Sequence, residues 1–306
     1  MERDFVGSGE RDFVGYGEHP PAVRWPEGAR IALNFVINYE EGSENRHEDG
    51  CRRRETAGEV ASQVPLDPPQ RDLANESMFE YGSRAGVWRL LRLFDRHDVK
   101  GTVFACAVAL EKNPAVGRAI TARGHDVVAH GNRWEEHFLL DRDAERAAIE
   151  QAVASIERTT GQRPVGWYCR YGPGVNTRAL VVASGHFLFD CDAYNDDLPY
   201  YVRVTGNPWL VVPYTLDTND ARFWRGGLDT GTDFFDYLRD AFDLLYEEGA
   251  THPKLMSVGL HCRIVGRPGR ARGLDRFVAH AKSFPGVWFA RRTDVARWWL
   301  EHYPPR

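Results

Sequence analysis

Five short polar segments of this chain carry the residue types that hydrolysis needs. They are Asn38-Tyr39-Glu40-Glu41-Gly42, His130-Gly131-Asn132-Arg133-Trp134, the stretch from Trp167 to Gly174 with Arg170 at its centre, Asp190-Cys191-Asp192 running on to Asn195-Asp196-Asp197, and Leu260-His261-Cys262-Arg263. Like charges at Glu40 and Glu41 push one pKa up, which favours a general base or acid working near neutral pH. A histidine that exchanges a proton can protonate a leaving nitrogen. An arginine can hold a base in place or neutralise an oxyanion. There is no G-x-S-x-G, and no cysteine has a local nucleophile signature. An activated water therefore fits better than a covalent intermediate. Each segment taken singly has a plainer reading, since a lone strand histidine is most often structural and a loop Glu-Glu pair most often solvated. Their coincidence at five strand ends favours chemistry.

The elements that must position these residues alternate along the chain. Apolar or β-branched runs at 29–38, 101–108, 126–130, 165–168, 187–190, 209–213, 255–261 and 287–290 read as strands. Helical spacing of apolar residues marks 84–97, 114–122, 141–160, 176–184, 232–248, 271–283 and 293–301. Repeated strand–helix units imply a parallel sheet covered by helices, and this number of units fits a closed barrel. In such a barrel the active site lies at the C-terminal ends of the strands. Neither G-x-G-x-x-G nor G-x-x-x-x-G-K-[ST] is present, which weakens any nucleotide reading. Residues 1–28 read as an extended arm containing the near-copies ERDFVGSG and ERDFVGYG, and 29–306 as the catalytic domain. Insertions at 42–83 and 193–207 break the rhythm, and loops of that length usually carry function or assembly contacts.

Composition removes several classes of function. The 306 residues carry 39 Lys+Arg against 44 Asp+Glu, a formal charge of -5, which argues against a polyanion binder. The longest apolar runs are far short of the roughly 20 residues of a membrane span. Charges and glycines stand where a signal peptide would be apolar. The five cysteines are odd in number and scattered, without C-x-x-C, as in a reduced protein. The expectation is a cytoplasmic enzyme with a small-molecule substrate and with neither nucleic-acid nor membrane partners.

In this order the motifs resemble the polysaccharide deacetylase (NodB-like) superfamily. Its pattern is an acidic pair after the first strand, H-x-x-x-H, an arginine in a proline-rich loop, a D-x-D-type segment and a late L-H. The segments NYEEG, EYGSRAGVWRLL, NDDLPY, PYTLDTND and GLHCRIVGRPGR are similar to its PuuE-type allantoinase branch over nearly the whole chain. The resemblance implies an α/β fold of a single distorted (β/α)7-type barrel, hydrolysis of a non-peptide C–N bond, a homo-oligomer, and opening of the allantoin ring to allantoate. By position, Glu40 falls on the general base, Glu41 on the metal-binding acid, His130 on the first metal-binding histidine, His261 on the catalytic acid and Arg170 on the residue that orients the base. Trp134 takes the place of the second metal-binding histidine, and indole cannot coordinate zinc. That leaves Glu41 and His130 as metal ligands, with His137 or Asp197 as the nearby third, or else turnover without a cofactor, zinc or another divalent ion being the alternative. Trp134 is expected to press its face on a flat heterocycle, with Asp197 and Tyr39 also contacting substrate. Two other readings stand beside this one: a metal-dependent deacetylase of N-acetyl sugars, and a catalytically silent barrel used for binding.

Overall fold

A computed structural model describes residues 4–5, 11–51, 53–60, 70–170 and 172–305. Most of the first octapeptide copy, and Tyr171, lie outside the described residues. The strands are β1 (Asp4–Phe5), β2 (Ile31–Tyr39), β3 (Thr102–Ala105), β4 (Asp126–Ala129), β5 (Gly166–Trp167), β6 (Phe189–Asp190), β7 (Tyr200–Val204), β8 (Asn207–Val211), β9 (Lys254–His261) and β10 (Val287–Phe289). The helices are α1 (Leu73–Tyr81), α2 (Val87–His97), α3 (Ala107–Lys112), α4 (Pro114–Ala122), α5 (Arg142–Thr160), α6 (Thr177–Ala183), α7 (Arg222–Arg225), α8 (Gly231–Glu248), α9 (Pro268–Lys282) and α10 (Arg292–His302).

Strands β9, β2, β3, β4, β5, β6 and β8 lie side by side in that order, all parallel. This is the expected distorted (β/α)7 barrel. It is distorted because β8 and β9 do not pair. Between them runs the irregular chain after β8, where the Gly259 N–H donates to Thr218 and the Asp220 N–H donates to Gly259. A side chain at Gly259 would meet the Asn219 amide at 2.1 Å, so only glycine lets this segment close the seam. Arg292, wholly buried, braces the same seam from α10: its guanidinium donates to Ser257 on β9 at 2.8 Å and to the Pro213 carbonyl beyond β8 at 2.6 Å.

The period-2 alternation of a strand sorts β2 into two faces. Ile31, Leu33, Phe35, Ile37 and Tyr39 pack in the larger core with the helices, whereas Ala32 and Val36 belong to a second core with Phe104, Val128, Tyr168 and Tyr214. That second core fills the barrel lumen. Its floor is aromatic: the Trp25 ring sits 5.7 Å from Trp288 and 5.8 Å from Trp299.

Several elements differ from the sequence reading: α3, which takes the last residues of the 101–108 run, and α7 lie outside the long insertions, and α1 and β7 lie within them. The 42–83 insertion contains α1, which continues through a π-helical turn at Gly82–Gly86 into α2. Helical periodicity slips across that turn, so only the second half is recognisable in the sequence. The 193–207 insertion contains β7, which pairs antiparallel with β8 through a tight turn at Thr205 (φ 48°) and Gly206 (φ 84°). The π turn matters to the site because it presses on the loop after β9. A Cβ at Gly86 would lie 1.9 Å from the Cys262 carbonyl oxygen. Gly86→Ala is therefore expected to cost about 1–3 kcal/mol or more by overpacking, read as a lower urea midpoint of unfolding.

Candidate active site

The same alternation delivers the reactive side chains. Glu40 is two residues beyond the inward-facing Asn38, and Asn38 lies opposite His261 in the β2–β9 register. His130 is two residues beyond the inward-facing Val128 on β4. All three thus face one point at the C-terminal mouth of the lumen. His130 Nε2 lies 3.1 Å from Glu40 Oε1, and His261 Nε2 lies 3.6 Å from the same oxygen. Arg263 Nη1 lies 2.7 Å from Glu40 Oε2 and 3.7 Å from Glu41 Oε1. The most exposed member of this cluster is His261, at 9%.

Each histidine is oriented from behind. His130 Nδ1 donates to the Tyr168 carbonyl at 3.1 Å, and its ring stacks on that tyrosine at 4.9 Å. His261 Nδ1 donates to Asp220 at 2.6 Å, while the other Asp220 oxygen accepts the N–H groups of His261 and Val265. Burial works against charge on every group here, and the partners decide the outcome. For Glu40, burial is outweighed by Arg263 and His261, which hold it well below the usual carboxylate range. For His261, burial is outweighed by Asp220 and Glu40, which raise it to about 9. Glu41 goes the other way: burial, reinforced by the Glu40 charge and opposed by Arg263, pushes it up to about 7. The acidic pair is split as the sequence implies, but the raised member is Glu41, not the presumptive base.

Four expected placements are corrected. Arg170 forks onto Glu55 at 2.6 and 2.9 Å, and the guanidinium on the base is that of Arg263. Trp134 is covered on its faces, with Arg170 at 3.7 Å and Arg263 at 5.0 Å from the ring and Phe79 at 6.0 Å. Its face is thus a bed for guanidinium groups rather than for substrate. Tyr39 points outward into the helix layer, where its hydroxyl meets Ser83 at 2.9 Å. Asp197 lies beside the first residues of β9, its carboxylate 3.8 Å from Lys254, at the opposite end of the barrel.

A family model described as polysaccharide deacetylase matches residues 72–186. A putative polysaccharide deacetylase of Schizosaccharomyces pombe is 40% identical over 301 residues, 92% of this chain and 93% of the relative. The chain belongs to the polysaccharide deacetylase family. Among solved structures, a probable polysaccharide deacetylase of Pseudomonas aeruginosa PAO1 is 51% identical with a TM-score of 0.91, covering 97% of this chain and 99% of that one. A structure of Puue allantoinase is 50% identical with a TM-score of 0.92 over the same shares.

Deacetylases of this family build a metal site from an acid and two histidines, and the residues here do not fit one. Trp134 offers no lone pair, and a catalytic zinc takes three protein ligands. Of the third-ligand candidates, His137, with Nδ1 on Glu145 at 3.1 Å and Nε2 without a partner, does not gather with Glu41 and His130 into a group of three, while Asp197 is remote. No group of three or more His, Cys, Asp or Glu suited to a metal occurs among the described residues. The positive charge beside Glu40 and Glu41 is Arg263.

Three functional residues escape the sequence motifs. Asp220 stands in PYTLDTND, a segment similar to the family but carrying no role until the fold brings it behind His261. Arg263 is visible at the end of the last motif, yet its reach back to Glu40 depends on the turn after β9. Glu55 lies in an insertion without any periodic signal. Asp190 and Asp192 are structural: Asp190 binds Arg178 at 2.7 Å and Asp192 accepts the Cys169 N–H at 3.0 Å. All five cysteines are free, and no described helix is long and apolar enough to cross a membrane.

Two outcomes follow from this geometry. Glu55→Ala removes the forked carboxylate from the buried Arg170 and leaves it Glu136 at 3.5 Å, an expected loss of about 1.5–3 kcal/mol in chemical denaturation. Because the folded pKa of His261 lies above its ordinary 6.5, its contribution to stability is complete below pH 6.5 and is lost as the pH rises through about 9. Urea midpoints at pH 6.5 and 9.5 should therefore converge in Asp220→Asn relative to the native chain.

Proposed function

We propose that this family member hydrolyses the ring amide of a small cyclic ureide, with allantoin, opened to allantoate, as the first substrate to test. The observation that carries the reading is the Glu40–His261 pair at 3.6 Å, with Glu40 kept ionised and His261 kept charged. A charged carboxylate takes a proton from water, whose oxygen forms a bond to the carbonyl carbon as the π electron pair moves onto the carbonyl oxygen. That pair returns, the C–N bond breaks, and the His261 imidazolium gives its proton to the departing nitrogen. His130 fixes the Glu40 carboxylate from the other side.

Two features favour a small ring over a polymeric acetamide. The cluster is buried beneath the chain that follows β2, where the Ser43 carbonyl accepts the Trp134 N–H and Glu55 clamps Arg170. A polysaccharide needs an open groove, whereas a small ring needs only a closed pocket. The donor set also lacks a full complement for the metal that acetamide hydrolysis uses in this family, and the 50% identity to Puue allantoinase supports the same substrate class.

The test is hydrolysis of allantoin by chelator-stripped protein, beside a zinc-supplemented sample and the Glu40→Gln variant. Full turnover after chelation is expected, with a rate falling at least 10²-fold in Glu40→Gln while its circular dichroism stays native. Turnover of allantoin only with zinc would mean that a third metal ligand completes the site, and turnover only on N-acetyl sugars would return the chain to deacetylation.

A further inference from the structure

Arg263 has no role in the motifs of the chain, yet it is the most heavily invested residue of the site. It is 2% exposed, and its guanidinium lies 4.3 Å from the Phe79 ring and 5.0 Å from the Trp134 ring. Its Nη1 is engaged by Glu40 at 2.7 Å and lies 3.7 Å from Glu41, but its Nε is buried without a hydrogen-bond acceptor. Glu41 Oε1 is likewise without a hydrogen bond. Buried donors are nearly always paired, so donors left open in a reaction centre mark a place for a ligand atom.

We propose that Arg263 is the fixed cation of this site and the electrophile of its reaction, binding the carbonyl oxygen of the substrate through its open Nε–H while Nη1 stays on Glu40. This rests on the hydrolytic reading above. When the π pair moves onto that oxygen, the developing negative charge meets a guanidinium already in place and already desolvated. The substrate chemistry it selects is a carbonyl flanked by N–H groups, because the planar fork of arginine can reach the oxygen while Glu40 and Glu41 remain alongside as acceptors. Trp134 and Arg263 then form one replacement. The indole that cannot bind a metal is, with Phe79, one of the two rings against which the substitute cation rests.

The experiment uses full-length protein in four forms: native, Arg263→Lys, Arg263→Gln and Trp134→His/Arg263→Gln. On allantoin, Arg263→Gln is expected to lose about 10²–10³-fold in kcat with a far smaller change in KM, and Arg263→Lys to recover part of the loss. In equilibrium dialysis of chelator-stripped protein against zinc, the double variant should take up one ion, using Glu41, His130 and the new histidine, and the native chain none. Native kcat in a folded Arg263→Gln protein overturns the proposal. Equal zinc uptake by native and double-variant protein overturns it as well. If no ureide is turned over by the native chain, the proposed substrate class fails, and the dialysis alone decides whether Arg263 holds the place of a metal.

Discussion

A carboxylate buried to 1% exposure is the constraint around which this structure is arranged. Taking Glu40 out of water costs several kcal/mol unless compensating charge is supplied, and an unpaired group there would simply take up a proton and cease to be a base. Arg263 and His261 supply that compensation within 3.6 Å, and His130 adds a hydrogen bond at 3.1 Å. Each partner then needs its own support. Asp220 backs His261, the Tyr168 carbonyl backs His130, and aromatic faces of Phe79 and Trp134 carry Arg263. The chemistry depends on a network in which no charge is left alone, although several donors and acceptors are deliberately left open.

The barrel makes such a network affordable because its strands hold the ends of three elements in fixed register. Glu40, His130 and His261 each occupy an inward position just at or past the end of a ladder, so their backbones are rigid while their side chains are free to meet. The helix layer fixes the other half. The π turn between α1 and α2 lies against the Cys262 carbonyl, which locates the turn that carries Arg263. The insertion after β2 is anchored by the Glu55–Arg170 pair and shuts the mouth. Arginine 170 therefore serves the roof, and the duty of tethering the base has passed to a residue on a different strand end.

The sequence made the barrel, and the base and acid within it, readable for one physical reason: they lie on long buried strands whose apolar runs and alternation are strong signals. β2 and β9 are plain in the sequence, and so are Glu40 and His261 at their ends. What could not be read depends on chain that leaves the ladder. Asp197 stands in the loop after β6, which leaves the rim and lies against the first residues of β9, a path that no periodic signal announces. Tyr39 follows the period-2 rule, which places it outward once the inward face is known to contain Asn38 and Glu40. The true partner of the base, Arg263, lies beyond the last regular residue of β9, where alternation no longer predicts direction.

The open seam between β8 and β9 has a consequence for descent. A residue inserted into a strand turns every side chain beyond it to the opposite face, so the ends of β2, β4 and β9 tolerate almost no change in length. The segment that closes the seam is bound by isolated backbone bonds around Gly259 and carries Asp220, the orienting group for the acid. Its length can drift without moving the base. A change of length there would shift the group behind the acid while the ladders that carry the base stay in register.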